Sequence, residues 1–181
     1  RGGISFVRSH YQFPVYSDYI INFESIFTPG NSLANLLQSA LTVPGHISWL
    51  EAFFAFIYTF HFVYFFIIAF VIWSLRPQEF WRFKGALMSS AFVGLIIYFI
   101  VPTVPPWLAS EQSLIPVVHN TFQTILAIKF NVLIQAFDTN PVAAMPSLHV
   151  AFPAVCFLAS LYHFGLKKSW FLGIYLLMVI F

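Results

Sequence analysis

From Ala52 to Leu75 the chain runs for 24 residues without an Asp, Glu, Lys or Arg. A helix rises about 1.5 Å per residue, so about 20 apolar residues cross the hydrocarbon layer of a bilayer. Backbone in lipid must satisfy its own hydrogen bonds, which leaves a helix as the form such a run can take. Trp49 and Trp73 stand near its two ends, where interfacial aromatics belong. The rest of the chain has the same character. It is 60% hydrophobic and 8% charged, against about 25% charged in a soluble domain, too little charge to coat a water-facing surface. The fold class expected is all-α, a polytopic transmembrane helix bundle. The net charge of +2 is dispersed, so no nucleic-acid partner is expected. The single cysteine, Cys156, lies in an apolar run and allows neither an internal disulfide nor a cysteine-based metal cluster.

The remaining segments fall into two parts: an N-terminal region, 1–48, and a transmembrane domain, 49–181. In the first, Arg1, Arg8, Asp18 and Glu24 interleave with aromatic and aliphatic residues between Pro14, Pro29-Gly30 and Pro44-Gly45. Leu33 to Val43 is too short to span. The region reads as short helices at a membrane interface or packed on the bundle. A second apolar run, Ala86 to Val101, follows a loop holding Arg76, Arg82 and Lys84 and stops at Pro102. The next residues, P-T-V-P-P-W, cannot continue as regular helix. They either line a cavity or stop the helix ahead of an interfacial Trp. Between 109 and 140 an amphipathic helix is expected, with Asn120, Gln123, Thr124, Asn131 and Gln135 on one stripe. Lys129 lies opposite, placed to snorkel to headgroups or to offer a cation to phosphate. A third crossing starts at Leu148 and ends near Phe164, Lys167 and Lys168 follow, and a fourth run begins at Ser169. Arg1 is not an initiator methionine and Phe181 falls in mid-helix. The chain therefore reads as an internal fragment whose bundle is incomplete at its C-terminal side. His61 interrupts the first crossing; a mid-membrane ionisable group is a functional candidate, or a neutral His bonded to a neighbouring helix.

Charge sets the orientation. Two short loops carry Arg76, Arg82, Lys84 and Lys167, Lys168, while 102–147 holds only Lys129. The positive-inside rule makes the short loops cytoplasmic. The proline motif and the start of the third crossing then share the extracytoplasmic face, and a plasma (cytoplasmic) membrane location is expected.

At that face lies D-T-N-P-V-A-A-M-P-S-L-H-V-A-F-P, from Asp138 to Pro153. Pro141 and Pro146 push Asn140 and Met145 out of helix. Ser147 occupies an N-cap position ahead of an apolar helix. Unpaired first-turn amides and the positive end of the helix dipole suit an anion there. His149 sits in the same turn and can exchange a proton near neutral pH. A phosphate site with an acid–base histidine is the functional reading; a Ser cap beside a His also occurs in helices without function.

The motif P-S-L-H at 146–149 resembles the second motif, P-S-G-H, of the type 2 phosphatidic acid phosphatase superfamily. With P-P-W at 105–107 it is similar to the branch that includes inositol phosphorylceramide synthase, and the resemblance covers roughly residues 50 to 181. It implies metal-independent phosphoryl or phosphodiester transfer, without a cofactor, through a phosphohistidine. It also implies that His149 is the general acid for the leaving group, a step that suits an imidazole near its own pKa. Ser147 would contact phosphate oxygens, with Asn140, Met145, Trp107, Pro105 and Pro106 in the substrate-binding wall. The third motif, with the nucleophilic histidine and its aspartate, is expected beyond Phe181. His163 falls at the cytoplasmic end of its helix and does not replace it. The first motif, K-x6-R-P, is matched only by Arg76-Pro77, on the wrong face. The motif glycine is Leu148 here, as in the inositol phosphotransferase branch.

The function expected is that of an integral-membrane lipid phosphate phosphatase or an inositolphosphotransferase-like enzyme. Its substrate would be a membrane lipid phosphate, with water, a polyol or a lipid as acceptor. A non-catalytic transporter or flippase-like protein on the same scaffold is the alternative, and His61 with the helix break at 102–106 would suit a permeation path.

Overall fold

The computed structural model of the chain describes residues 18–29, 31–41, 48–111 and 145–180. All regular elements among them are helices: α1 (Asp18–Phe27), α2 (Leu33–Leu41), α3 (Trp49–Leu75), α4 (Phe80–Ile100), α5 (Pro106–Glu111), α6 (Leu148–Phe164) and α7 (Leu166–Ile180). The stripe at 120–135 and Lys129 lie outside the described residues. The chain divides into two compact units, one of Arg1–Ala52 with Ile97–Met145 and the other of Phe53–Ile96 with Pro146–Phe181.

In the first unit the helix starts follow from their caps. The Ser32 hydroxyl accepts the Asn35 N–H at 3.1 Å and opens α2, whose nine residues are too few to span, as the sequence predicts. At the entry to α3, the Glu51 N–H donates to Ser48 Oγ at 3.1 Å. In return the Ser48 N–H donates to Glu51 Oε2 at 2.7 Å. This reciprocal capping box satisfies two orphan donors at once. The proline segment ends one helix and starts another. Pro105 offers its carbonyl to the Ala109 N–H at 3.0 Å, and Pro106 takes the first helical position of α5, where its missing N–H costs nothing.

In the second unit α3 buries one stripe, Ile57, His61, Tyr64, Ile68 and Ile72, at helical spacing. Its other faces present Phe56, Phe66 and Phe70 outward. α3 and α4 are long and apolar enough to cross a membrane, yet only 22% and 17% of their apolar stretches are buried. A soluble core helix would be mostly buried. Faces so apolar and so open are suited to lipid.

The helix α4 begins at Phe80, six residues before the predicted Ala86, so that its 21 residues reach about 32 Å rather than falling short. Arg82 and Lys84 therefore lie on helix rather than in a loop, and Lys84 Nζ sits 4.0 Å from the centre of the Trp81 ring. A similar correction applies to α7, which starts at Leu166 instead of Ser169 and takes Lys167 and Lys168 into its first turn. The turn needs only Gly165, whose φ of +75° is open to glycine, and whose N–H donates to the Leu161 carbonyl at 3.0 Å. After it, nothing in L-K-K-S opposes a helix.

α6 and α7 pack closely where Gly173 meets Phe157; a Cβ at 173 would stand 3.2 Å from that ring. Tyr175 stacks on Tyr64 with centroids 4.3 Å apart and donates its hydroxyl to the Ile57 carbonyl at 3.1 Å, so α7 is tied to α3. Ile72, Phe83, Cys156 and Leu172 close the core.

Candidate functional site

The first turn of α6 carries the P-S-L-H residues. Ser147 is the N-cap by position, with φ −73° and ψ 112°, but its side chain makes no capping hydrogen bond. This differs from a capping serine. Its backbone carbonyl accepts the N–H of Val150 at 3.2 Å and of Ala151 at 3.0 Å. The amides of Leu148 and His149, at the positive end of the helix, have no carbonyl within the helix to bond. Such a turn can receive an anion.

Pro153 adds a second feature. It is fully buried inside α6, four residues after His149. A proline has no N–H, so the His149 carbonyl loses the helical donor it would otherwise meet. The turn holding the histidine is thus held less tightly than the helix below it.

The His149 ring lies against one face of α3. Tyr58 stacks on it with centroids 4.5 Å apart and planes 19° apart, and Phe62 meets it edge-on at 5.6 Å. Between them stands His61, with centroids 4.7 Å apart and planes tilted by 46°. Residues 58, 61 and 62 share a helix face by their i, i+3, i+4 spacing. Phe65 and Phe152 also pack against the His61 ring and against each other. His61 is 4% exposed; its Nδ1 and the Nε2 of His149 are both buried without a hydrogen-bond partner.

His61, His149 and Gly94 lie at a common level along their helices. His61 is 14 residues from the end of α3, His149 is 15 from the end of α6, and Gly94 is 14 from the start of α4. At 1.5 Å per residue each is about 21–22 Å from the basic end of its helix. These levels agree with the packing, for His61 touches His149 and Gly94 faces Leu148. Measured along α3, His61 is 12 residues, about 18 Å, from Trp49.

The Met145 N–H donates to Thr103 Oγ1 at 2.8 Å, and Thr103 is fully buried. That bond ties the residue just before the P-S-L-H motif to the segment just before P-P-W. The Met145 side chain is exposed. Pro105 and Pro106 form the start of α5, and Trp107 follows as its second residue. Asn140 lies outside the described residues. The sequence reading did not place Tyr58, Phe62 or Gly94 near the site, and left His61 unpaired with His149. His61 was visible as the one histidine of its crossing. The register of α3 against α6, which joins the two histidines, is set by packing and is not written in either segment.

The model of the PAP2 superfamily matches residues 35–181. The chain belongs to the PAP2 superfamily. No curated protein and no solved structure matches it. Members of the PAP2 superfamily are generally phosphatases or phosphotransferases, and membership points to a phosphatase-like function on lipid phosphates. With two helices of membrane length, it also points to a membrane protein.

Proposed function

We propose that this PAP2 chain is a membrane-embedded lipid phosphate phosphatase or phosphotransferase of the branch resembling inositol phosphorylceramide synthase. In this reading it works at the extracytoplasmic face through a phosphohistidine. The observation that carries the proposal is P-S-L-H at the head of α6, with His149 and two helix-unpaired amides in one turn, inside a superfamily match over 35–181.

Each part then has a task. The amides at the start of α6 and the Ser147 hydroxyl bind phosphate oxygens. The nucleophilic histidine of the family's third motif attacks phosphorus. As the P–O bond to the leaving group breaks, His149 gives its proton to the leaving oxygen, so no unprotonated alkoxide departs. Water or an alcohol next takes the phosphoryl group from the nucleophile, and its proton returns to His149. Asn140, Met145, Trp107, Pro105 and Pro106 are assigned to the wall that holds the lipid. The non-catalytic alternative needs His61 to serve a permeation path; its contact with His149 weighs toward chemistry.

The test is a labelled lipid phosphate given to the full-length protein with and without inositol. Label transferred to inositol supports the phosphotransferase branch, and release of phosphate alone supports a phosphatase. Neither product would leave the scaffold reading.

A further inference from the structure

We propose that His61 is the positioning residue of His149: its Nδ1 accepts a hydrogen bond from His149 Nε2–H, directly or through one water. The bond would leave His149 Nδ1 as the nitrogen presented to substrate.

Among the described residues four buried side-chain nitrogen or oxygen atoms lack a partner, and two of them are these nitrogens. A buried polar atom without a partner has lost its bonds to water and gained none in return, so both are under pressure to find a partner. Their rings are 4.7 Å apart between centroids, close enough for a direct or one-water bond. The chemistry is complementary, because a neutral imidazole carries one donor and one acceptor. Phe65 and Phe152 pack against the His61 ring, and Tyr58 and Phe62 against the His149 ring, which limits how either can turn.

A bond to one ring nitrogen decides which tautomer a histidine adopts. With Nε2–H turned inward to His61, the charged His149 presents Nδ1–H outward. When that proton leaves, the neutral ring that remains is the Nε2–H tautomer, which His61 stabilises. The catalytic consequence rests on His149 being the leaving-group acid; the hydrogen bond itself does not.

The experiment follows both. Full-length protein labelled with ¹⁵N-histidine is placed in lipid nanodiscs, and the His149 ring resonances are assigned by their loss in His149→Ala. Neutral His149 should be the Nε2–H tautomer in wild type and in His61→Gln, whose side-chain carbonyl can accept the bond. In His61→Ala it should become a mixture. His61→Phe, which fills the space among Phe65 and Phe152 without an acceptor, should behave as His61→Ala and decides the matter if the alanine variant does not fold. In kinetics, His61→Phe should lower kcat for a poor leaving group about tenfold, a part of the roughly 10²- to 10⁴-fold that a general acid contributes, with KM unchanged and His61→Gln recovering most of the loss. An unchanged Nε2–H tautomer in folded His61→Phe would overturn the proposal. Tautomers that shift as expected, in a protein that turns over no lipid phosphate, would uphold the pair and reject the enzymatic reading.

Discussion

Gly94 on α4 faces Leu148 at the head of α6, so that a Cβ at position 94 would stand 2.9 Å from Leu148 Cδ2. Leu148 occupies the place of the glycine in P-S-G-H, and the side chain absent from position 94 makes room for it. Gly94→Ala should push Leu148 aside and disturb the adjacent His149, lowering turnover severalfold. Leu148→Ala in the same protein should recover much of it. A double-mutant cycle on turnover should show coupling on the order of 0.5–3 kcal/mol. Additive effects would mean that the two residues do not compete for space.

Pro153 sets local rigidity against position. Pro153→Ala restores an N–H to the His149 carbonyl, a gain of up to about 3 kcal/mol in a helix interior. It removes only a few buried methylenes, about 0.8 kcal/mol each in water-based scales. Thermal unfolding in detergent should move to higher temperature while kcat falls. A higher Tm with unchanged kcat would show that the looseness of that turn has no part in catalysis.

Orientation has its own check. Gln112→Cys should react with a membrane-impermeant maleimide added outside intact cells, and Gln78→Cys should not. Cys156 is fully buried and serves as the internal negative control. The opposite pattern would move the P-S-L-H turn to the cytoplasmic side.

The helices were legible because apolar length speaks directly. The start of α6 at Leu148 and its end at Phe164 match the position of Ser147 and the length of the apolar run, although the Ser147 side chain makes no capping bond. The starts of α4 and α7 were read six and three residues late, because charge was taken as a sign of loop. Arg82, Lys84, Lys167 and Lys168 instead ride on helix ends, where long side chains can reach the interface. The Ser147 and His149 positions were also visible. Their surroundings were not: stacking by Tyr58, closure by Phe62 and the gap at Gly94 depend on which turn of α3 and α4 meets α6. Such contacts come from side-chain packing between segments far apart in the chain, and one sequence carries no direct record of them.

The central claim is that His149 donates the leaving-group proton, and the leaving group itself tests it most directly. His149→Ala in the full-length protein should slow a lipid phosphate by roughly 10²- to 10⁴-fold. A nitrophenyl phosphoester, whose leaving group departs without a proton, should lose far less. Ser147→Ala, which would remove the proposed phosphate contact, should weaken both substrates alike and so separates binding from proton transfer. The account predicts a large ratio between the two losses in His149→Ala and a ratio near one in Ser147→Ala. Equal slowing of both substrates by His149→Ala would contradict it.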